Sequence, residues 1–120
     1  MKTIQTFIGR LSKSPAAPRL ESCRSFLITS EDDLPKGIFL GHLVVRKRRL
    51  PSLIFAGALE NSKKNLAEML VLDLDTEIQI QQVRLELAQK MREHRMLATE
   101  LELERQLRED EKIARIYFGM

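Results

Sequence analysis

Residues 76–118 read TEIQIQQVRLELAQKMREHRMLATELELERQLREDEKIARIYF. The stretch contains no proline, and its first following glycine is Gly119. Glu, Gln, Leu, Arg, Lys, Met and Ala dominate it, the residues that lose least on entering a helix. Thr76 followed by Gln79 has the capping-box spacing. Glu77 puts negative charge near the start, Lys112 and Arg115 put positive charge near the end, and Gly119 stands where a left-handed cap belongs. On this reading the stretch is one long α-helix.

Placed at about 100° per residue, its apolar residues form two stripes. Ile78, Leu85, Met96, Leu103, Leu107, Ala114 and Phe118 form one. Ile80, Leu87, Met91, Ala98 and Ile116 form the other, widened by Val83 and Leu101. A helix on the surface of its own globule needs one stripe. About forty residues at roughly 1.5 Å each give a rod on the order of 60 Å, whereas a compact chain of this length is only roughly 35 Å across. The expectation is a projecting helix that buries its second stripe against another chain. Ile80, Leu85, Leu87, Met91, Leu101 and Leu103 are its protein-binding candidates, and Leu87→Asp should disrupt assembly while leaving the rest folded. A competing pattern runs through the first part. Leu70, Leu72, Leu74, Ile78 and Ile80 alternate with other residues, as do Val83, Leu85 and Leu87, and alternation signals strand.

Working back toward the N-terminus, residues 25–62 are the most sheet-like. Ser25–Thr29, Ile38–Val45 and Leu53–Phe55 are strand candidates, with a turn over Ser30–Gly37 and another at Leu50–Pro51–Ser52. A helix is expected from about Lys63. Residues 1–24 form a basic arm and linker. Ile4, Phe7, Ile8 and Leu11 have helical spacing there, and the lack of acidic residues before Glu21 resembles the composition of a targeting segment. The expected fold is therefore α+β and helix-dominated. A two- or three-stranded antiparallel head over 25–62 is followed by a helical region over 63–120, with a break near 73–76.

The 120 residues carry a net charge of +3. Residues 1–60 hold ten Lys/Arg against five Asp/Glu, and residues 61–120 hold ten against twelve. Arg46, Lys47, Arg48 and Arg49 form the most distinctive local feature. Four consecutive cations repel one another and gain from a polyanion, which makes them nucleic-acid-binding candidates. Cys23, the single cysteine, excludes an internal disulfide and a multi-cysteine metal site. His42 and His94 have no partner at zinc spacing, and the five glycines are scattered singly. The sequence thus calls for no cofactor, no metal and no catalytic residue. It points to a non-enzymatic interaction or adaptor subunit that binds itself or a larger complex. A ribonucleoprotein-type subunit using residues 46–49 is the alternative. The expected setting is intracellular, cytoplasmic or, if the arm is a targeting segment, the mitochondrial matrix. No run reaches the length of a membrane span.

Overall fold

In the computed structural model, which describes residues 4–13, 23–57, 64–74, 76, 78, 79, 81–94 and 99–120, the alternation wins over the helical period. Six strands are followed by one helix: β1 (Gln5–Lys13), β2 (Cys23–Ser30), β3 (Gly37–Val45), β4 (Arg48–Ala56), β5 (Leu66–Leu72), β6 (Gln82–Arg92) and α1 (Glu100–Phe118). The strands close into a barrel in the order β1-β2-β5-β4-β3-β6, every neighbouring pair antiparallel. β3, β4 and β5 follow one another as neighbours, and β6 returns to lie beside β3. That is the Greek-key order. Its geometry requires the β5–β6 connection to cross one end of the barrel and the β2–β3 connection to cross the other.

The expected helix-dominated α+β fold is thus corrected to a closed β-barrel with a single C-terminal helix. The physical reason lies in β6. Val83, Leu85 and Leu87 point into the barrel and are buried, while Gln82 and Arg84 point out. The register of β3 against β6 leaves Ala88 and Met91 without partners. These bulges break the strict alternation beyond Leu87, so Met91 reaches the outer apolar cluster. A strand with two bulges followed by an amphipathic helix, read at 100° per residue, mimics a two-striped rod. The real helix has 19 residues, about 28 Å, and the molecule measures 36 × 35 × 31 Å. The strand candidates Ser25–Thr29, Ile38–Val45 and Leu53–Phe55 lie within β2, β3 and β4, while other expectations fall. The basic arm contributes β1, whose Phe7 and Leu11 face the interior. Residues 66–72 are strand, not helix. The turn expected at residues 50–52 lies at Arg46 and Lys47, with Pro51 and Ser52 inside β4. Among the described residues no helix is long and apolar enough to cross a membrane.

Two apolar clusters hold the fold. The first fills the barrel, with Ile28, Leu43, Ile54, Met69 and Leu85 fully buried. Leu34, from the β2–β3 connection, belongs to it, as do Leu74 and Ile78 from the β5–β6 connection. The second lies between the outer wall and α1, joining Leu40, Leu53, Leu70 and Leu72 to Leu107 and Ala114. β3, β4 and β5 are therefore apolar on both faces. The helix is capped by Thr99, whose hydroxyl accepts from the Glu102 N–H, and ends at Gly119 with φ 72° as its spacing indicated. It shows the barrel one stripe, Leu103, Leu107, Asp110, Ala114 and Phe118. Leu101, Ile113 and Ile116, on its other side, stay exposed.

Candidate functional site

The end of the barrel crossed by the β5–β6 connection carries an open depression of about 720 Å³. Val45, Arg46, Lys47 and Arg48 line one side of it, and Ile78, Gln79 and Gln81 line the other. The first group comes from the β3–β4 hairpin. Val45 pairs with Arg48, leaving a two-residue turn whose first member, Arg46, takes φ 56°. A positive φ at that position matches the hairpin's twist, although it is a conformation that glycine or asparagine adopts more easily than arginine. The second group comes from the crossing connection. Leu74 and Ile78 sink into the barrel core and plug its end. The Arg24 Nε donates to the Leu74 carbonyl at 3.1 Å, and the Leu11 N–H donates to the Gln81 carbonyl at 3.0 Å.

The four-cation run splits on this geometry. Arg49 turns to the outer wall, where Nε and NH2 donate to Glu86 Oε1 at 3.0 and 2.9 Å. Arg46, Lys47 and Arg48 line the depression, are exposed, and take part in no salt bridge among the described residues. Three positive charges without a salt-bridge partner among the described residues share one rim with two glutamine amides, the groups that recognise an anion able to accept hydrogen bonds. Beside Arg49, the His42 imidazole accepts from Arg49 NH2 at 3.4 Å and meets the Phe118 ring edge-on at 5.2 Å. Burial and then the Arg49 guanidinium hold its pKa below the ordinary value, with Glu86 pulling the other way.

The other candidates go elsewhere. Leu85 and Leu87 are in the barrel core; Met91 and Leu103 pack between wall and helix; Leu101 is exposed on α1. They do not form one face, because no rod carries them together. Ile80 lies outside the described residues. Cys23 is buried in the outer cluster, and His94 Nε2 sits 3.0 Å from the Ala56 carbonyl oxygen. Among the described residues no three His, Cys, Asp or Glu side chains converge as metal ligands. Sequence reasoning missed Ile78, Gln79 and Gln81 as lining residues. Their signal was the Leu72-Asp73-Leu74 boundary between two alternating runs, which marks a connection.

Fold and depression together define a class: a small Greek-key barrel, helix-braced on one wall, with a depression lined by three exposed cations at one end. The family model Flavokinase, riboflavin kinase, matches residues 16–118, and the chain belongs to that family. Among solved structures, a macrolide-efflux protein from Streptococcus pneumoniae shares the fold, with a TM-score of 0.76 at 15% identity. The match covers 92% of this chain and 36% of that one, so this chain spans about a third of its length. A search of the curated proteins gave no match. The family match overturns three expectations from sequence. The chain is not a helical or coiled-coil adaptor, the ribonucleoprotein-type alternative has no support, and the family points to an enzyme.

Proposed function

We propose that the chain phosphorylates riboflavin, with the phosphates of a magnesium-complexed nucleoside triphosphate seated in the depression at the hairpin end. The observation that carries this reading is the rim of three exposed cations, Arg46, Lys47 and Arg48, which have no salt-bridge partner among the described residues. A hydroxyl oxygen of riboflavin forms a bond to the terminal phosphorus. The bond from that phosphorus to its bridging oxygen breaks, the nucleoside diphosphate leaves, and the hydroxyl proton passes to solvent. Charge spreads over the transferring oxygens and the leaving group, and fixed cations hold that charge without having to reorganise. Magnesium enters with the nucleotide. An intracellular, reducing compartment supplies the nucleotide and suits Cys23, the single cysteine, which is buried.

The test is direct. Purified chain is incubated with riboflavin and a nucleoside triphosphate labelled on its terminal phosphate, and riboflavin phosphate is followed by chromatography. Label should appear on riboflavin. The Arg46→Ala/Arg48→Ala double variant should keep its circular dichroism spectrum while its KM for nucleotide rises about tenfold or more, as loss of charge-assisted contacts implies. No transfer by wild-type protein, or a nucleotide KM unchanged in the double variant, overturns the reading.

A further inference from the structure

The depression is made of two parts with different supports. The hairpin side is held by the β3–β4 ladder. The other side is a connection that crosses the barrel end, and its residues owe their place to a few anchors. Leu74 and Ile78 are held by core burial, Leu74 also by Arg24, and Gln81 by β1. The first residue of the connection, Asp73, is anchored from outside the barrel. Its Oδ2 and Oδ1 accept from Arg115 NH1 and NH2, both at 2.8 Å, in a bidentate pair. Arg115 lies in the last turn of α1 and is fixed from its other side by Glu111, which accepts from Nε at 2.9 Å. Asp73 itself holds φ 53°, a left-handed backbone that aspartate tolerates better than most residues. Such a residue sets the direction in which the chain leaves β5.

We propose that Arg115 is a positioning residue: through Asp73 it fixes the exit of the crossing connection, and so places Ile78, Gln79 and Gln81 against the nucleotide. The inference rests on the reading of the depression as the nucleotide site. α1 packs on the outer wall and contributes no lining residue to the depression. The pair therefore transmits the helix's position to a site that the helix does not line. Its geometry suits that purpose. A bidentate guanidinium–carboxylate pair fixes orientation as well as distance, whereas a lysine in the same place would fix only distance. The helix has other anchors on the barrel, namely Leu107, Ala114 and the pair of buried Asp110 with part-buried Arg92.

Arg115→Ala and Asp73→Asn test the inference. Asparagine keeps the tolerance for the left-handed backbone and removes the charge. Both variants should raise the nucleotide KM about three- to tenfold, as residues coupled to a site without touching its ligand do. kcat should stay near wild type, and amide exchange at Ile78, Gln79 and Gln81 should quicken. Arg115→Lys should restore little of the loss. Nucleotide KM and amide exchange both at wild-type values overturn the inference, as does a lowered melting temperature with unchanged KM, which marks a merely structural pair. The Arg46→Ala/Arg48→Ala variant separates the two ideas. If it binds nucleotide poorly while the Arg115 and Asp73 variants bind normally, only the positioning role fails. If it binds normally, the site reading fails and the positioning role fails with it.

Discussion

Gly41 pairs with Leu87, beside the bulge at Ala88, and a Cβ built on it lies 1.9 Å from the Glu86 carbonyl oxygen. Backbone cannot give way there without opening the β3–β6 ladder. Gly41→Ala should therefore destabilise the protein by about 3 kcal/mol, the upper range for overpacking, measured by denaturant unfolding. Charge at single residues has a pH signature. Hydrogen bonding to Arg115 holds the Asp73 carboxyl below its ordinary value. A carboxylate lowered on folding adds stability that is full above its unfolded pKa and is lost as pH falls through the folded one. His42, lowered chiefly by burial, is lost in the same direction: the unfolded imidazole takes up a proton first. Melting temperature should hardly change on descending to about pH 7, fall gently below about pH 6.5 as His42 is felt, and fall further below about pH 4 as Asp73 is felt. Flat stability down to pH 3 would contradict both assignments. The residue scale was also where the sequence spoke most clearly. The Gly119 cap was legible from one position alone.

At the scale of elements the sequence was legible in type for β2, β3 and β4 and ambiguous for β6 and α1. Val83, Leu85 and Leu87 carried a true strand signal. It was outweighed because Met91, displaced by bulges, and the apolar residues of α1 joined them in a helical projection. Bulges arise from pairing with β3, and a pairing partner is not visible in the strand's own residues. β5 was obscured for another reason. Leu70, Val71 and Leu72 are buried in succession, because one face looks into the barrel and the other meets α1. Continuous apolar runs of this length do not distinguish strand from helix. The helix also carries an acid in its apolar stripe. Asp110 is fully buried, accepting from Arg92 Nε and NH2 at 3.2 and 2.8 Å and from Gln106 Nε2 at 2.9 Å. Leu107→Ala should cost about 2–5 kcal/mol. Asp110→Ala should cost about 2–3 kcal/mol, because it leaves the part-buried Arg92 guanidinium with the Glu93 carbonyl as its remaining acceptor. Denaturant titration reads both, and a cost below about 1 kcal/mol for either would mean that α1 is only loosely docked.

For the whole molecule, the sequence named the cations of the depression but not their place. Arg46, Lys47 and Arg48 stood out as a basic run. That they face Gln79 and Gln81 follows from the Greek-key crossing, which no local pattern encodes. Leu87 shows the cost of that gap most plainly. On a projecting helix, Leu87→Asp would break an assembly and leave the chain folded. Inside a closed barrel it places a carboxylate in the core, and the variant should fail to give a cooperative unfolding transition at all. On the proposed reading nucleotide affinity rests on exposed cations, and it should then weaken markedly between about 50 and 200 mM salt, since exposed charges are screened within a Debye length. A salt-independent affinity would place the phosphates elsewhere.

The seam between β1 and β6 joins the first strand of the barrel to its last. On the ribosome, everything through β5 must wait as an open sheet, its inner face wet, until residues 82–92 have left the exit tunnel. Such late, long-range closure makes for slow folding and leaves a long interval in which unpaired strand edges attract the wrong partner. A chain released before that point should be degraded or should aggregate.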